Sequence, residues 1–397
     1  MFKTLEPQQP DALLAVMAAY AADPDPDKVD LGVGVYRDAS GVTPVMSAVR
    51  KAEQRILDEQ VTKAYVGAGG NRPFAAFIEE LTLGALHPAR AAGRVVTLQT
   101  PGGCGAVRLA ADLIQRARPG TRVFVSDPTW PNHRPLVSGA GLGVDGYPYY
   151  DPASGVLGFE GMLGALERLP AGDVVLLQAS CHNPTGQDLA PAQWEQLAEL
   201  LARRQLLPLM DLAYQGLGDG LDADAAPIRM LAERLPEVLI AVSCSKNFGL
   251  YRERVGAVIG VTGDRATAGI VMNHLQILAR RMYSMPPDHG AAIVATIAQD
   301  PALKAEWLAE LEAMRIRVGT IRARLAEALA AEFGHDRFGF IRGQRGMFSL
   351  LGLPPAAVAA LAADHHVYVA GDSRINVAGL PEARIERVAR AIRAVAG

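Results

Sequence analysis

Four short segments carry residue types that can do chemistry, and each follows an apolar run. The first is SCSKNFGLYRERVG (243–256). A generic lysine belongs on a solvated helix face, but Lys246 stands where an apolar run ends, the position at which open α/β sheets place ligand sites. A partly desolvated lysine has a lowered pKa and can attack a carbonyl carbon. Ser243 and Arg254 flank it, and the planar donor fork of arginine suits a phosphate. The second is DLAY (211–214), after LLPLM. An aspartate there is costly to bury unless paired; it either caps the next segment or pairs with a cationic ring nitrogen. The third, CHNPTG (181–186), is by itself only a turn signal. The fourth, TPGGCGAVRLAADL (100–113), leads glycines into a helical pattern, whose free N–H groups and dipole can receive a phosphate.

The elements that must position these residues are legible as apolar runs bounded by turn residues: 95–100, 122–127, 173–179, 206–211, 238–245 and 255–261. They lack clean alternation, as expected of a parallel sheet covered on both faces. Segments 106–118 and 191–205 between them have helical spacing. Strand and helix alternate from about 95 to 261, which predicts a doubly wound, mostly parallel α/β sheet. A long amphipathic stretch, 301–333, with Gly319 as its only internal breaker, is placed to bridge two domains. Beyond it, RFGFIRG, MFSLLGL, VYVAG and RINVAG read as short strands among helices, a smaller α+β unit. The expected division is a large domain at 46–305 and a small domain from 1–45 with 306–397.

Composition narrows the function class. Half of the 397 residues are hydrophobic and net charge is −3, with 39 Lys plus Arg against 42 Asp plus Glu. There is no basic excess or stripe for nucleic acid. The start, MFKTLEPQQPDALL, lacks the apolar run of a signal peptide. No uncharged apolar run reaches the ~18 residues of a membrane span. Three sparse cysteines, Cys104, Cys181 and Cys244, fit a reducing compartment, so a cytoplasmic location is expected. The histidines show no metal-ligand spacing, and no metal is expected.

The four segments occur together and in a fixed order. From about Asp11 to the C-terminus the chain resembles the class I aspartate and aromatic-amino-acid aminotransferases, enzymes of fold type I that use pyridoxal 5′-phosphate. The resemblance is carried by LGVGVYRD (31–38), TPGGCGA (100–106), SDPTWPNH (126–133), CHNPTG, DLAYQG (211–216), SKNFGLYRERVG (245–256), RRMYSMPP (280–287), GMFSL (346–350) and SRINVAG (373–379). It implies that Lys246 binds the cofactor covalently and later moves the proton. Asp211 would pair with the pyridine nitrogen, Asn183 and Tyr214 with the ring oxygen, and Trp130 would stack on the ring. Ser243, Arg254 and the N–H groups of Gly103 and Cys104 would hold the phosphate, with Tyr65 from a second subunit. Arg374 would clamp the substrate α-carboxylate near Gly34. Arg280 of a second subunit would meet a distal carboxylate. The implied assembly is a homodimer with shared active sites, and the implied partners are amino acids and 2-oxo acids.

Departures from the family pattern bear on substrate. Cys104 stands where Thr is usual, Ala64 where Asn is usual, Met285 where Asn or Ser is usual, Gln178 for a ring-side His, and Cys244 for Tyr. Ala64, Cys104 and Met285 make the surroundings less polar, which predicts an enzyme accepting aromatic as well as acidic amino acids, with 2-oxoglutarate as partner. The alternatives are a strict aspartate aminotransferase and, further off, a lyase or decarboxylase on the same fold. A cofactor-binding domain of a transcription regulator is disfavoured, because the resemblance begins too early to leave room for a DNA-binding module.

Overall fold

The computed structural model describes residues 2–7, 12–151 and 154–396; Asp11, where the family resemblance begins, lies outside them. The apolar runs form a seven-stranded sheet from β1 (Val95–Pro101), β2 (Arg122–Asp127), β3 (Gly143–Pro148), β4 (Val174–Gln178), β5 (Leu207–Leu212), β6 (Val238–Ser243) and β7 (Val255–Val261). Their order across the sheet is β1-β7-β6-β5-β4-β2-β3. Only β7 runs against its neighbours; the other pairings are parallel. Helices cover both faces, so β7 is buried at every position and β6 likewise, which explains runs without alternation.

Edge strand β3, GVDGYP, has no apolar run and was not expected; only Tyr147 in it is buried. With one residue buried, it needs little hydrophobic patterning of its own. RFGFIRG, expected as a strand, instead contains a short helix at Phe340–Gly343. Its buried side chains, Phe338 and Ile341, are three apart, a helical spacing rather than a strand's.

Two helices matter for the site. Helix α1 (Gly102–Ala117) begins directly after β1. Helix α2 (Pro301–Phe333) runs unbroken through Gly319. Its first half packs Trp307, Leu311, Met314 and Val318 into the core around the sheet, and its second half packs Ile321, Leu325 and Leu329 into a separate core. That second core also takes Val29, Leu31 and residues from 338 to 392. Ile375 of this core lies on β9 (Arg374–Asn376), which pairs antiparallel with β8 (Phe348–Leu350), whose Phe348 and Leu350 belong to the core around the sheet. Trp307 also pins the first half of the helix to the Lys246 turn. Its indole N–H donates to the Asn247 carbonyl at 2.7 Å, and its ring stacks on Phe248 with centroids 4.4 Å apart. Removing a buried Trp of this kind costs about 3–5 kcal/mol.

Candidate active site

The carboxyl ends of β4, β5 and β6 and the start of β7 converge on one edge of the sheet. Gln178 lies opposite Asp211 in the β4–β5 register, and Ser243 opposite Gly256 in the β6–β7 register. Each chemical segment leaves the sheet at this edge. An apolar cavity of about 490 Å³ lies at the opposite ends, against Val174, Leu207 and Val238, and contains none of the expected residues.

Lys246 is half-buried in the turn after β6. Among the described residues it has no hydrogen-bond or ion-pair partner; its ammonium lies 5.0 Å from the centre of the Tyr214 ring. Burial holds its pKa below the usual lysine value, Asp211 pulls it back up and Arg254 pushes it down. The result is an amine more readily neutral, and hence more nucleophilic, than a surface lysine.

Asp211 is buried near the end of β5, and His133 Nε2 lies 2.9 Å from its Oδ2. The Thr129 hydroxyl meets His133 Nδ1 at 2.7 Å, so the imidazole is held on both nitrogens. His133 is fully buried. The sequence marked it within the PNH motif but gave it no role; the cost of burying Asp211 alone was the signal that a partner existed. Trp130 stands edge-on to His133 with centroids 5.2 Å apart.

Asn183 joins two further residues. Its amide donates to the Tyr214 hydroxyl at 3.4 Å, and its Oδ1 accepts from Arg374 Nη1 at 3.1 Å. Burial raises the Tyr214 pKa, so the phenol stays protonated. Gln178, at the usual ring-side His position, turns back on the Asn183 backbone: its Oε1 accepts from the Asn183 N–H at 2.8 Å and its amide donates to the carbonyl at 2.9 Å. It fixes the Asn183 turn.

Arg374 is buried on β9. Its Nη2 donates to the Gly32 carbonyl at 3.0 Å, its guanidinium lies 4.3 Å from the centre of the Phe348 ring, and its Nε has no partner among the described residues. Burial lowers its pKa, yet an arginine stays charged near neutrality. Gly34 passes so close to Phe348 that a Cβ would lie 2.8 Å from the ring.

The expected phosphate residues also meet. Gly102, with φ +68°, opens α1, and a Cβ there would lie 2.8 Å from Arg254 Nη2. A Cβ on Gly103 would lie 3.1 Å from that of Ser243. Cys104 follows in the first turn of α1 and accepts a long contact from Asn132 at 3.8 Å. Helix N–H groups, a hydroxyl and a guanidinium therefore face one space, a donor set suited to a phosphate.

Two expected residues stand apart. Tyr65 is 91% exposed, and Arg280, on the helix Arg265–Met282, is also exposed. Neither has a hydrogen bond or ion pair to another expected residue among the described residues. Ala68 and Arg280 border one surface pocket of about 310 Å³.

The model of the family "Aminotransferase class I and II" matches residues 26–392. The aromatic-amino-acid aminotransferase of Pseudomonas aeruginosa is 50% identical over 382 residues, 96% of each chain. The aspartate aminotransferase of Escherichia coli K12 is 41% identical over 395 residues, covering 100% of both chains. A crystal structure of the aromatic-amino-acid aminotransferase from Burkholderia pseudomallei, covalently bound to pyridoxal phosphate, superposes with a TM-score of 0.97. Its sequence identity is 42%, and the match covers 100% of this chain and 99% of that one.

Proposed function

The chain belongs to the class I and II aminotransferases, and on that premise we propose that it exchanges the amino group of aromatic or acidic L-amino acids with 2-oxoglutarate. The fold is that of fold type I and the cofactor is pyridoxal 5′-phosphate. The residues present fit that cofactor: a phosphate cup at the start of α1, a carboxylate backed by an imidazole, and a lysine without a partner. When bound, the cofactor supplies an electron sink for charge developing at the substrate Cα.

The observation that carries the reading is the pairing of unpartnered Lys246 with buried Arg374 across Asn183 and Tyr214. Lys246 would hold the cofactor covalently and, once free, take the proton from the substrate Cα at Nζ. Its depressed pKa makes the neutral amine available for that transfer. Asp211, oriented by His133, would face the ring nitrogen. Asn183 and the protonated Tyr214 would hydrogen-bond the ring oxygen, and Trp130 would cover the ring. Gly103, Cys104, Ser243 and Arg254 would hold the phosphate. Arg374 would receive the α-carboxylate beside Gly34, its free Nε adding a donor to the fork.

The outer side of the pocket would come from a second copy of the chain. Leu57, Val61, Tyr65 and Val66 are large hydrophobic residues exposed within ten positions, which supports an interface on this segment. In a homodimer Tyr65 would reach the partner's phosphate site and Arg280 a distal carboxylate. No helix of the described residues is long and apolar enough to cross a membrane. Free cysteines throughout support a cytoplasmic location.

Aromatic substrates are favoured by the apolar Ala64 and Met285 and by the 50% identical aromatic-amino-acid relative. The second reading, a strict aspartate enzyme, is favoured by the relative from Escherichia coli. The test is kcat/KM for phenylalanine and tyrosine against aspartate with 2-oxoglutarate saturating. We expect values within about tenfold of one another, a difference of about 1.4 kcal/mol. Aromatic values about a thousandfold below aspartate select the strict enzyme.

A further inference from the structure

Arg322, midway along α2, is buried, yet its guanidinium is held entirely by neutral acceptors. Nε donates to the Gly346 carbonyl at 3.0 Å. Nη1 donates to the Ile341 carbonyl at 3.3 Å and to the Ser349 hydroxyl at 2.7 Å. Nη2 donates to the carbonyls of Arg345, Gly346 and Phe348 at 3.1, 2.7 and 2.6 Å. Only a planar fork with five N–H groups can satisfy so many convergent acceptors. Burying a cation without a carboxylate partner is costly, and burial pushes its pKa down to about 10. A side chain kept there at that cost organises something.

What it organises is the loop before β8 and, through it, the Asn183 turn. The Arg345 N–H donates to the Gly186 carbonyl at 2.7 Å. Gly346 has φ +71°, and a Cβ on it would lie 2.3 Å from the Cβ of Cys181. A Cβ on Gly186 would lie 2.3 Å from the Phe348 carbonyl oxygen. The two turns are thus packed back to back with no room for slippage. Each presents one residue to Arg374: Asn183 through a hydrogen bond, Phe348 through its ring face.

We propose that Arg322 is a positioning residue for the substrate α-carboxylate site, locking the 345–349 loop against the 181–186 turn so that Asn183 and Phe348 hold Arg374 in its receiving geometry. The inference rests on reading Arg374 as the carboxylate-binding residue. It extends the site across the point where α2 passes from one core to the other.

The experiment uses the holoenzyme and two substrates that differ only in the α-carboxylate, phenylalanine and phenethylamine. Arg374→Ala is measured first and should erase most of the preference for phenylalanine. Arg322→Lys keeps the charge but loses the fork. We expect KM for phenylalanine to rise about tenfold, as for one or two weakened charge-assisted hydrogen bonds. kcat should change less than about threefold, the preference over the amine should shrink in step, and the visible absorbance of the bound cofactor should titrate as before. Arg322→Lys with Arg374→Ala should cost no more than Arg374→Ala alone. A folded Arg322→Lys enzyme with unchanged KM and unchanged preference overturns the proposal while leaving the Arg374 reading intact. An Arg374→Ala enzyme that keeps its preference overturns both. Where Arg322→Lys does not fold, Ser349→Ala removes one partner of the fork; the same KM shift on a smaller scale supports the proposal, and no shift counts against it.

Discussion

Asp211, Tyr214, Asn183 and Arg374 occupy an interior where each has a hydrogen-bond partner within the chain, and Lys246 lies beside the Tyr214 ring among them. Tyr65 and Arg280 stand on the surface, their side chains with no hydrogen-bond or ion-pair partner among the described residues. The inner region is assembled by burial: Asp211 cannot lie unpaired, so His133 meets it, and His133 in turn meets Thr129. The outer region is held only by its backbone. Such a division follows from the energetics. Groups that must keep a fixed charge and direction are preorganised in a low dielectric, where their interactions are strong. In the proposed homodimer, Tyr65 and Arg280 would serve a second copy and so stand exposed in the single chain.

The largest effect should fall on the inner region. Lys246→Ala should lose at least about a thousandfold in turnover, since nucleophile and proton carrier vanish together. The variant should still take up pyridoxal phosphate reversibly, because the phosphate cup is untouched. Borohydride reduction and peptide mapping of the unaltered enzyme should place the label on Lys246; label on another lysine refutes the assignment.

Arg280→Ala tests the outer region and should cost less. kcat/KM for aspartate should fall about 10–100-fold, the loss of one charge-assisted pair, while phenylalanine changes little. Hybrids of Lys246→Ala and Arg280→Ala chains should regain activity on aspartate, because one of their two sites is intact when the residues come from different copies. Verified hybrids without any recovery would collapse the distinction between the two regions.

The smallest effect concerns acid stability, confined to the inner region. His182 is buried, accepts or donates between Ser126 and Thr185 at 2.9 Å each, and stacks on Tyr149. Burial lowers its pKa to about 3. The unfolded chain binds the proton near the ordinary value of about 6.5. Stability contributed by the neutral ring is therefore complete above that value and is lost as pH falls towards 3, at about 1.4 kcal/mol per pH unit. His182→Gln should flatten the fall of Tm between pH 6.5 and 4 by a degree or two per unit, read by calorimetry. An unchanged slope shows that His182 is not the group responsible.

Much of the inner region is legible in the sequence alone. The runs 173–179, 206–211 and 238–245 read as strands because both faces of a central parallel sheet demand apolar residues, and chemical segments stand directly after these runs. Edge strand β3 was illegible because Tyr147 is its only buried residue, so its sequence carries no apolar run. RFGFIRG misled because its two phenylalanines and isoleucine suit either period. Gln178 was legible as a departure, but its action on the Asn183 backbone was not, since an amide's partner is not encoded in its type. Arg322 gave no signal at all: in the sequence it is one of several arginines in a helix, and only the crossing of α2 over the 345–349 loop makes it singular.

The sequence by itself determined six of the seven strands of the large sheet, the placing of Lys246, Asp211 and Asn183 at strand ends, and the glycines at the start of α1. These follow from local periodicity, turn chemistry and the cost of burying polar groups, all of which act over a few residues. Tertiary structure alone decided which of those residues meet. His133 reaches Asp211 across 78 positions and Arg374 reaches Asn183 across 191. Such pairings are selected by the packing of whole layers, because a buried donor takes whichever acceptor the fold brings within 3 Å, and no local pattern in the chain specifies that choice.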